Sequence, residues 1–164
     1  MIFKKNLQEH SELTQKLDKI EFDVNNAADI MFNALEKGGK LIFCGNGGSA
    51  SDAQHISAEF IGRFVDERPP IHSIAISTDT SALTCISNDY GYENVFKRQV
   101  QGIGSAKDCF IGISTSGNSV NIINALKQAN AMGIDTIGIL GRDGGEMFNY
   151  CDHSIIVPSS ITAR

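Results

Sequence analysis

Two short runs hold most of the chemistry that this chain of 164 residues could perform. The first is Cys44-Gly45-Asn46-Gly47-Gly48-Ser49-Ala50-Ser51, and the second is Ser114-Thr115-Ser116-Gly117-Asn118-Ser119. Each follows an apolar, strand-like run and opens a helix-like run. Each offers Gly, Ser, Thr or Asn, and neither contains Lys or Arg. Backbone N–H groups at a helix N-terminus, with hydroxyls beside them, can hold a phosphate without a formal cation. In the second run Ser114, Thr115, Ser116 and Ser119 all carry hydroxyls. One hydroxyl would cap a helix, whereas a phosphate monoester has several oxygens to satisfy. Two such runs on one short chain imply a pocket for a phosphorylated small molecule.

The helix opened by the first run carries His55 and Glu59. At i,i+4 they share one face. Such a pair can bind a divalent metal together, or act as proton donor and acceptor. The plainer reading is a weak pairing on a surface helix. The first run also matches a loose dinucleotide pattern, Gly45-x-Gly47-x-x-Ala50. That pattern needs an acidic residue at the end of the next strand to bind a ribose. Asp79 is the best candidate, but it comes too late and stands where a helix N-cap belongs. With that part of the motif missing, no nucleotide cofactor is expected, and without a GxxxxGK[ST] sequence a Walker-type nucleotide triphosphatase is disfavoured. His10, His72 and His153 have no such neighbours and read as structural or solvated. Asn88-Asp89 reads as a helix break, and Asp143-Gly144-Gly145 as a turn.

The elements that must position these residues alternate along the chain. Residues 1–37 read as two helices, with apolar residues at helical spacing and Gly38-Gly39 as a terminator. They carry no chemical signature and would cover a core or another copy of the chain. From residue 40 apolar strands are expected at 41–44, 71–76, 109–113, 136–140 and 155–157. Helices are expected at 49–61, 79–87, 93–100 and 119–132. Strands that are apolar throughout and separated by helices imply an α/β fold. The expected architecture is a doubly wound, five-stranded parallel sheet flanked by helices, with ligands beyond the carboxyl ends of the strands. The length suits a single domain spanning 1–164.

Net charge is −5 and the pI is near 5.3. An acidic chain of this kind is no general nucleic-acid binder. No apolar run reaches the roughly 20 residues of a membrane span, and the N-terminus lacks the apolar stretch of a signal peptide. Cys44, Cys85, Cys109 and Cys151 show no tight metal spacing. They read as buried free thiols, as in a reducing cytoplasm.

The order of these motifs resembles the phosphoheptose isomerases, which are sugar-isomerase (SIS) domain proteins. Gly45-Asn46-Gly47-Gly48-Ser49 is followed by His55-x-x-x-Glu59 and Ser87-Asn88-Asp89-Tyr90-Gly91. Then come Gly112-Ile113-Ser114-Thr115-Ser116-Gly117-Asn118-Ser119 and Gly141-Arg142-Asp143-Gly144-Gly145. The resemblance spans nearly the whole chain. It implies interconversion of sedoheptulose 7-phosphate and D-glycero-D-manno-heptose 7-phosphate, toward bacterial lipopolysaccharide or capsular heptose. It places Asn46, Gly47, Gly48, Asn88, Asp89, Ser114, Thr115, Ser116 and Ser119 against the substrate, with Ser49 beside them. It makes His55 and Glu59 ligands of one zinc per subunit, and Glu59 also the substrate-contacting catalytic base. It further implies a homotetramer with active sites at subunit interfaces.

Family members continue past the point matching Arg164 with another long helix. A Gln and a His on that helix complete the zinc site. The expectation is therefore that this chain belongs to a longer protein and holds only half of that site. Two alternatives accompany the resemblance. One is a non-catalytic SIS protein that binds the replication initiator, and the other is an isomerase of a different sugar phosphate.

Overall fold

A computed structural model describes residues 1–159 and 161. The five apolar runs form β1 (Leu41–Gly45), β2 (Ser73–Ala75), β3 (Cys109–Ser114), β4 (Asp135–Gly141) and β5 (His153–Val157). All pair in parallel, in the order β2-β1-β3-β4-β5. The expected second strand is longer than the observed one. Its flanks still hydrogen-bond outside the strand proper: Leu41 donates to the His72 carbonyl and Ile76 to that of Phe43.

Side chains of a strand alternate between the two faces, and here both faces are covered. Leu41 and Phe43 of β1 share one core with Cys109, Ile111 and Ile113 of β3. Ala27 and Ala34 of α2 (Glu21–Glu36) and Ala53 of α3 (Gly48–Ile61) close that core. Ile42, Cys44 and Phe110 point the other way. They meet Val95, Phe96 and Val100 of α5 (Val95–Ile103) and Ile122, Leu126 and Ala129 of α6 (Val120–Ala131). The expected doubly wound α/β sandwich is thus the fold.

At the amino ends of β1 and β3 a buried carboxylate pins the two central strands. Asp108, 2% exposed, accepts from the Lys40 amide at 2.9 Å and the Ser105 amide at 2.8 Å. The Lys40 ammonium lies 2.6 Å away. The carboxyl ends of the same strands are left to the loops.

Two expectations need correction. Asn88 and Asp89 do not break a helix, because α4 (Thr80–Tyr90) runs through both. Asn and Asp are poor helix formers, but α4 stops only at Gly91, which takes φ 82°. Nor are all the thiols buried. Cys44 and Cys109 are buried and Cys151 half-buried, but Cys85 is exposed on α4 with its Sγ 3.7 Å from Asp89 Oδ2. Asp79 caps α4, its side chain accepting from the Ala82 amide at 3.0 Å. That leaves the dinucleotide reading without its acid. α1 (Ile2–Thr14) buries none of its residues, and Ile2, Phe3 and Leu7 are exposed. Among the described residues no helix is long and apolar enough to cross a membrane.

Candidate active site

The chain leaves β1 toward β2 on one side and reaches β3, β4 and β5 on the other, so the winding reverses between β1 and β3. Loops leaving the carboxyl ends of strands at such a point border a crevice. Those two loops are Gly45–Gly48 and Ser114–Ser119. They line one depression of about 200 Å³, whose walls include Asn46, Ser49, Ser114, Thr115, Ser116 and Ser119. Six residues selected from the sequence are therefore assembled here.

The first loop turns sharply into α3. A Cβ on Gly45 would run into the Ser49 backbone, and Gly47 adopts φ 55°. No side chain caps α3. Gly47 and Gly48 lie exposed with open space around their Cα atoms, so a ligand can approach their backbone closely. Asn46 ties this loop to the second. Its Nδ2 donates to Asn121 Oδ1 and its Oδ1 accepts from Asn121 Nδ2, both at 2.9 Å. Tyr92 Oη donates to the same Asn46 oxygen at 2.9 Å. Asn121 is 4% exposed, on the first turn of α6.

The second loop spends its hydroxyls within itself or not at all. Ser119 stands at the N-cap of α6, yet its hydroxyl makes no cap. It pairs instead with Ser114 Oγ at 3.1 Å. Ser114 Oγ also accepts from the Gly117 amide at 3.2 Å, and Ser116 Oγ from the Asn118 amide at 3.2 Å. Capping therefore does not account for four hydroxyls. The loop is braced from β4: Gly117, at φ 64°, packs so tightly on Gly144 that a Cβ there would strike its carbonyl. Asn118 Oδ1 accepts from the Glu146 amide at 2.9 Å, and the Gly117 carbonyl from Met147 at 2.8 Å.

His55 and Glu59 lie elsewhere. From Ser49 to Glu59 the α3 axis advances about 15 Å. The pair faces a separate apolar groove with Ile56, Phe60, Phe64 and Arg68. His55 Nε2 is 3.5 Å from Glu59 Oε1, with side chains 73% and 38% exposed. Arg68 closes the C-terminus of α3, donating to the carbonyls of Glu59 at 2.5 Å and Phe60 at 2.8 Å. Imidazole and carboxylate are both zinc ligands, and a tetrahedral site takes more than two. Among the described residues no third His, Cys, Asp or Glu joins them. Asn88 and Asp89 are exposed in the last turn of α4, hydrogen-bonded to each other at 2.8 Å. No described contact joins them to either loop; the link from that region is Tyr92.

A SIS domain matches residues 7–141. This chain belongs to the SIS-domain family. It is 51% identical over 164 residues to the phosphoheptose isomerase of Sulfurimonas denitrificans, covering 98% of this chain and 84% of that protein. It is 49% identical over 163 residues to that of Aliarcobacter butzleri, covering 99% and 86%. The solved phosphoheptose isomerase GmhA of Neisseria gonorrhoeae superposes with a TM-score of 0.88 at 39% identity, over 99% of this chain and 89% of that one. That of Francisella tularensis superposes with a TM-score of 0.90 at 32% identity, over 99% and 89%. Within the SIS family the chain therefore belongs to the phosphoheptose isomerases.

Sequence reasoning overlooked Asn121, Tyr92 and Arg68. Asn121 left a faint signal: a polar amide inside Val120-Asn121-Ile122-Ile123 needs a partner if that turn is buried. Nothing local marks Tyr92 or Arg68.

Proposed function

We propose that this protein interconverts sedoheptulose 7-phosphate and D-glycero-D-manno-heptose 7-phosphate, supplying heptose for a bacterial lipopolysaccharide or capsule. The observation that carries this reading is the depression where the Asn46–Ser49 and Ser114–Ser119 loops converge, in a chain about half identical to phosphoheptose isomerases. The phosphate sits on the uncapped N-termini of α3 and α6, held by amides and by the hydroxyls of Ser49, Ser114, Thr115, Ser116 and Ser119. Asn46, Gly47 and Gly48 line the same end of the sugar, and Asn88 and Asp89 contact its hydroxyls. This remote grip fixes the reacting carbons relative to the base.

Glu59 is that base. Its carboxylate takes the proton from C2 of the aldose as the carbonyl oxygen at C1 is protonated, which leaves a cis-enediol. The same carboxyl returns the proton to C1 while the C2 hydroxyl loses its own and becomes the ketone. His55 and Glu59 would hold zinc, with further ligands from outside the described residues; the ion supplies Lewis-acid polarisation of an oxygen when bound.

One chain keeps Glu59 apart from the phosphate loops, and α1 has no core of its own to cover. A homotetramer that packs copies over the Phe60–Phe64 groove and α1 accounts for both. The four free cysteines suit a reducing cytoplasm.

The test is conversion of sedoheptulose 7-phosphate by the full chain. Absence of any aldose product would reject the assignment. Glu59→Gln should lower turnover by at least about 10²-fold while the sugar phosphate still binds; unchanged turnover removes Glu59 from its role.

A further inference from the structure

The Gly141-Arg142-Asp143-Gly144-Gly145 turn contains an anomaly that the isomerase reading leaves unused. Arg142 has φ 55° and is the only described non-glycine residue with positive φ. That conformation is costly for any residue bearing a Cβ and natural for glycine. Glycine occupies 141, 144 and 145 in the same turn, yet the left-handed position at 142 holds an arginine. Strain retained at such a point marks a side chain that must be aimed.

The turn is fixed on three sides. The Arg142 amide donates to the Ser159 carbonyl at 3.1 Å, and the Gly144 amide to that of Gly141 at 3.0 Å. A Cβ on Gly141 would press on the Thr115 carbonyl, so the turn lies directly against the second hydroxyl loop. Held there, Arg142 lines the 200 Å³ depression together with Asn46, Ser49, Ser114 and Thr115. It also lines the adjoining depression of about 490 Å³, with Ser116, Asn118 and Asp143. Among the described residues no other Lys or Arg lines either one. Among the described residues its guanidinium makes no hydrogen bond and no ion pair. Its neighbour Asp143 already accepts from the Gly145 amide at 3.1 Å.

The electrostatics make this cation matter. The chain carries a net charge of −5. Asp52 lines a neighbouring depression that shares Ser49 and Thr115 with the first, and Asp143 stands beside the turn. Among the described residues that line these depressions, the formal charges other than Arg142 are the negative ones of Asp52 and Asp143. A dianionic phosphate there would meet amide dipoles and hydroxyls but no counter-charge. A planar guanidinium offers paired N–H groups matched to phosphate oxygens.

We infer that Arg142 is the phosphate-positioning cation of this site, held in a left-handed backbone so that its unpaired guanidinium faces the hydroxyl loops. The inference rests on the isomerase reading and adds to it. The hydroxyl loops shape the phosphate seat, and Arg142 supplies the charge that separates a phosphorylated sugar from a neutral one.

The experiment measures steady-state isomerisation of sedoheptulose 7-phosphate, with inorganic phosphate as a competitive probe, for the full chain and three variants. In Arg142→Gln, KM and the phosphate inhibition constant should rise together, by roughly tenfold to a hundredfold, the worth of one charge-assisted hydrogen bond. The turnover number should move far less. Arg142→Lys should recover part of the loss, most at low ionic strength. Arg142→Gly should lose phosphate affinity as Arg142→Gln does, with a melting temperature equal to or above that of the unaltered chain, because the strain is released. Unchanged phosphate inhibition in Arg142→Gln would overturn the inference. So would a lower kcat at unchanged KM, or a lower melting temperature in Arg142→Gly. An unaltered chain that neither binds phosphate nor isomerises the sugar would instead sink the isomerase reading itself.

Discussion

Asn121→Ala offers the sharpest test of how the two loops are joined. The substitution removes both amide bonds to Asn46, each 2.9 Å long. At about 1 kcal/mol each, they amount to about 2 kcal/mol. The Ile122 amide also loses Asn121 Oδ1 but keeps the Ser119 carbonyl at 3.0 Å. Asn46 Oδ1 keeps the Tyr92 hydroxyl, so no acceptor is orphaned. Alanine regains roughly 0.5 kcal/mol of helix propensity. The net loss should be about 1.5–2 kcal/mol, or a fall in melting temperature of roughly 3–8 °C for a chain of this size. Urea unfolding at fixed protein concentration should show the midpoint falling with the slope unchanged. A double-mutant cycle sharpens the result. Asn46→Ala removes the same two bonds, so the pair of substitutions should cost little more than either alone, with a coupling of about 1–2 kcal/mol. KM should rise in both single variants, because the first loop loses its anchor to α6. Additive single effects, or a loss under about 0.5 kcal/mol, would refute the claim that this amide pair locks the site.

Gly117→Ala should be worse for stability and binding than its size suggests, because the new methyl meets the Gly144 carbonyl at φ 64°; expression and melting of the variant report it. Thiol labelling should modify Cys85 first. Burial holds the Cys109 thiol up to about 12, helped by Asp135, Asp152 and Asp108, and raises Cys151 to about 11. Cys44, wholly buried, is raised further by the same desolvation, and these three should react only on unfolding. Because both thiols are raised above the ordinary 9.0 in the folded chain, the unfolded chain releases these protons first as pH rises. Their contribution to stability is complete below pH 9.0 and is lost toward pH 11–12. A urea midpoint that held constant across that window would contradict their burial.

Much of the fold could be read from local chemistry. Apolar runs such as Leu41–Cys44 and Cys109–Ile113 have one stable place, a strand covered on both faces, and the intervening helices follow from apolar spacing. The Gly, Ser and Asn runs marked the loops because only such residues combine tight turns with free donors. The break assigned to Asn88-Asp89 failed because helix propensity is a weak preference that a downstream glycine can override. Cys85 misled because Ala82, Leu83 and Ile86 near it along the chain are apolar, whereas Cys85 lies with Thr84 on the exposed side of α4.

Adjacency lay beyond the sequence. The strand order β2-β1-β3-β4-β5 is what brings two loops about 70 residues apart to one edge. Only that juxtaposition lets Asn46 find Asn121, sets Gly117 against Gly144, and brings Arg142 to the depression lined by the hydroxyl loop. It also leaves His55 and Glu59 in a groove of their own. Local composition determines what each segment can form; which donors end up side by side depends on how the sheet winds, because hydrogen bonds and charges act over a few ångströms of space whatever their separation along the chain.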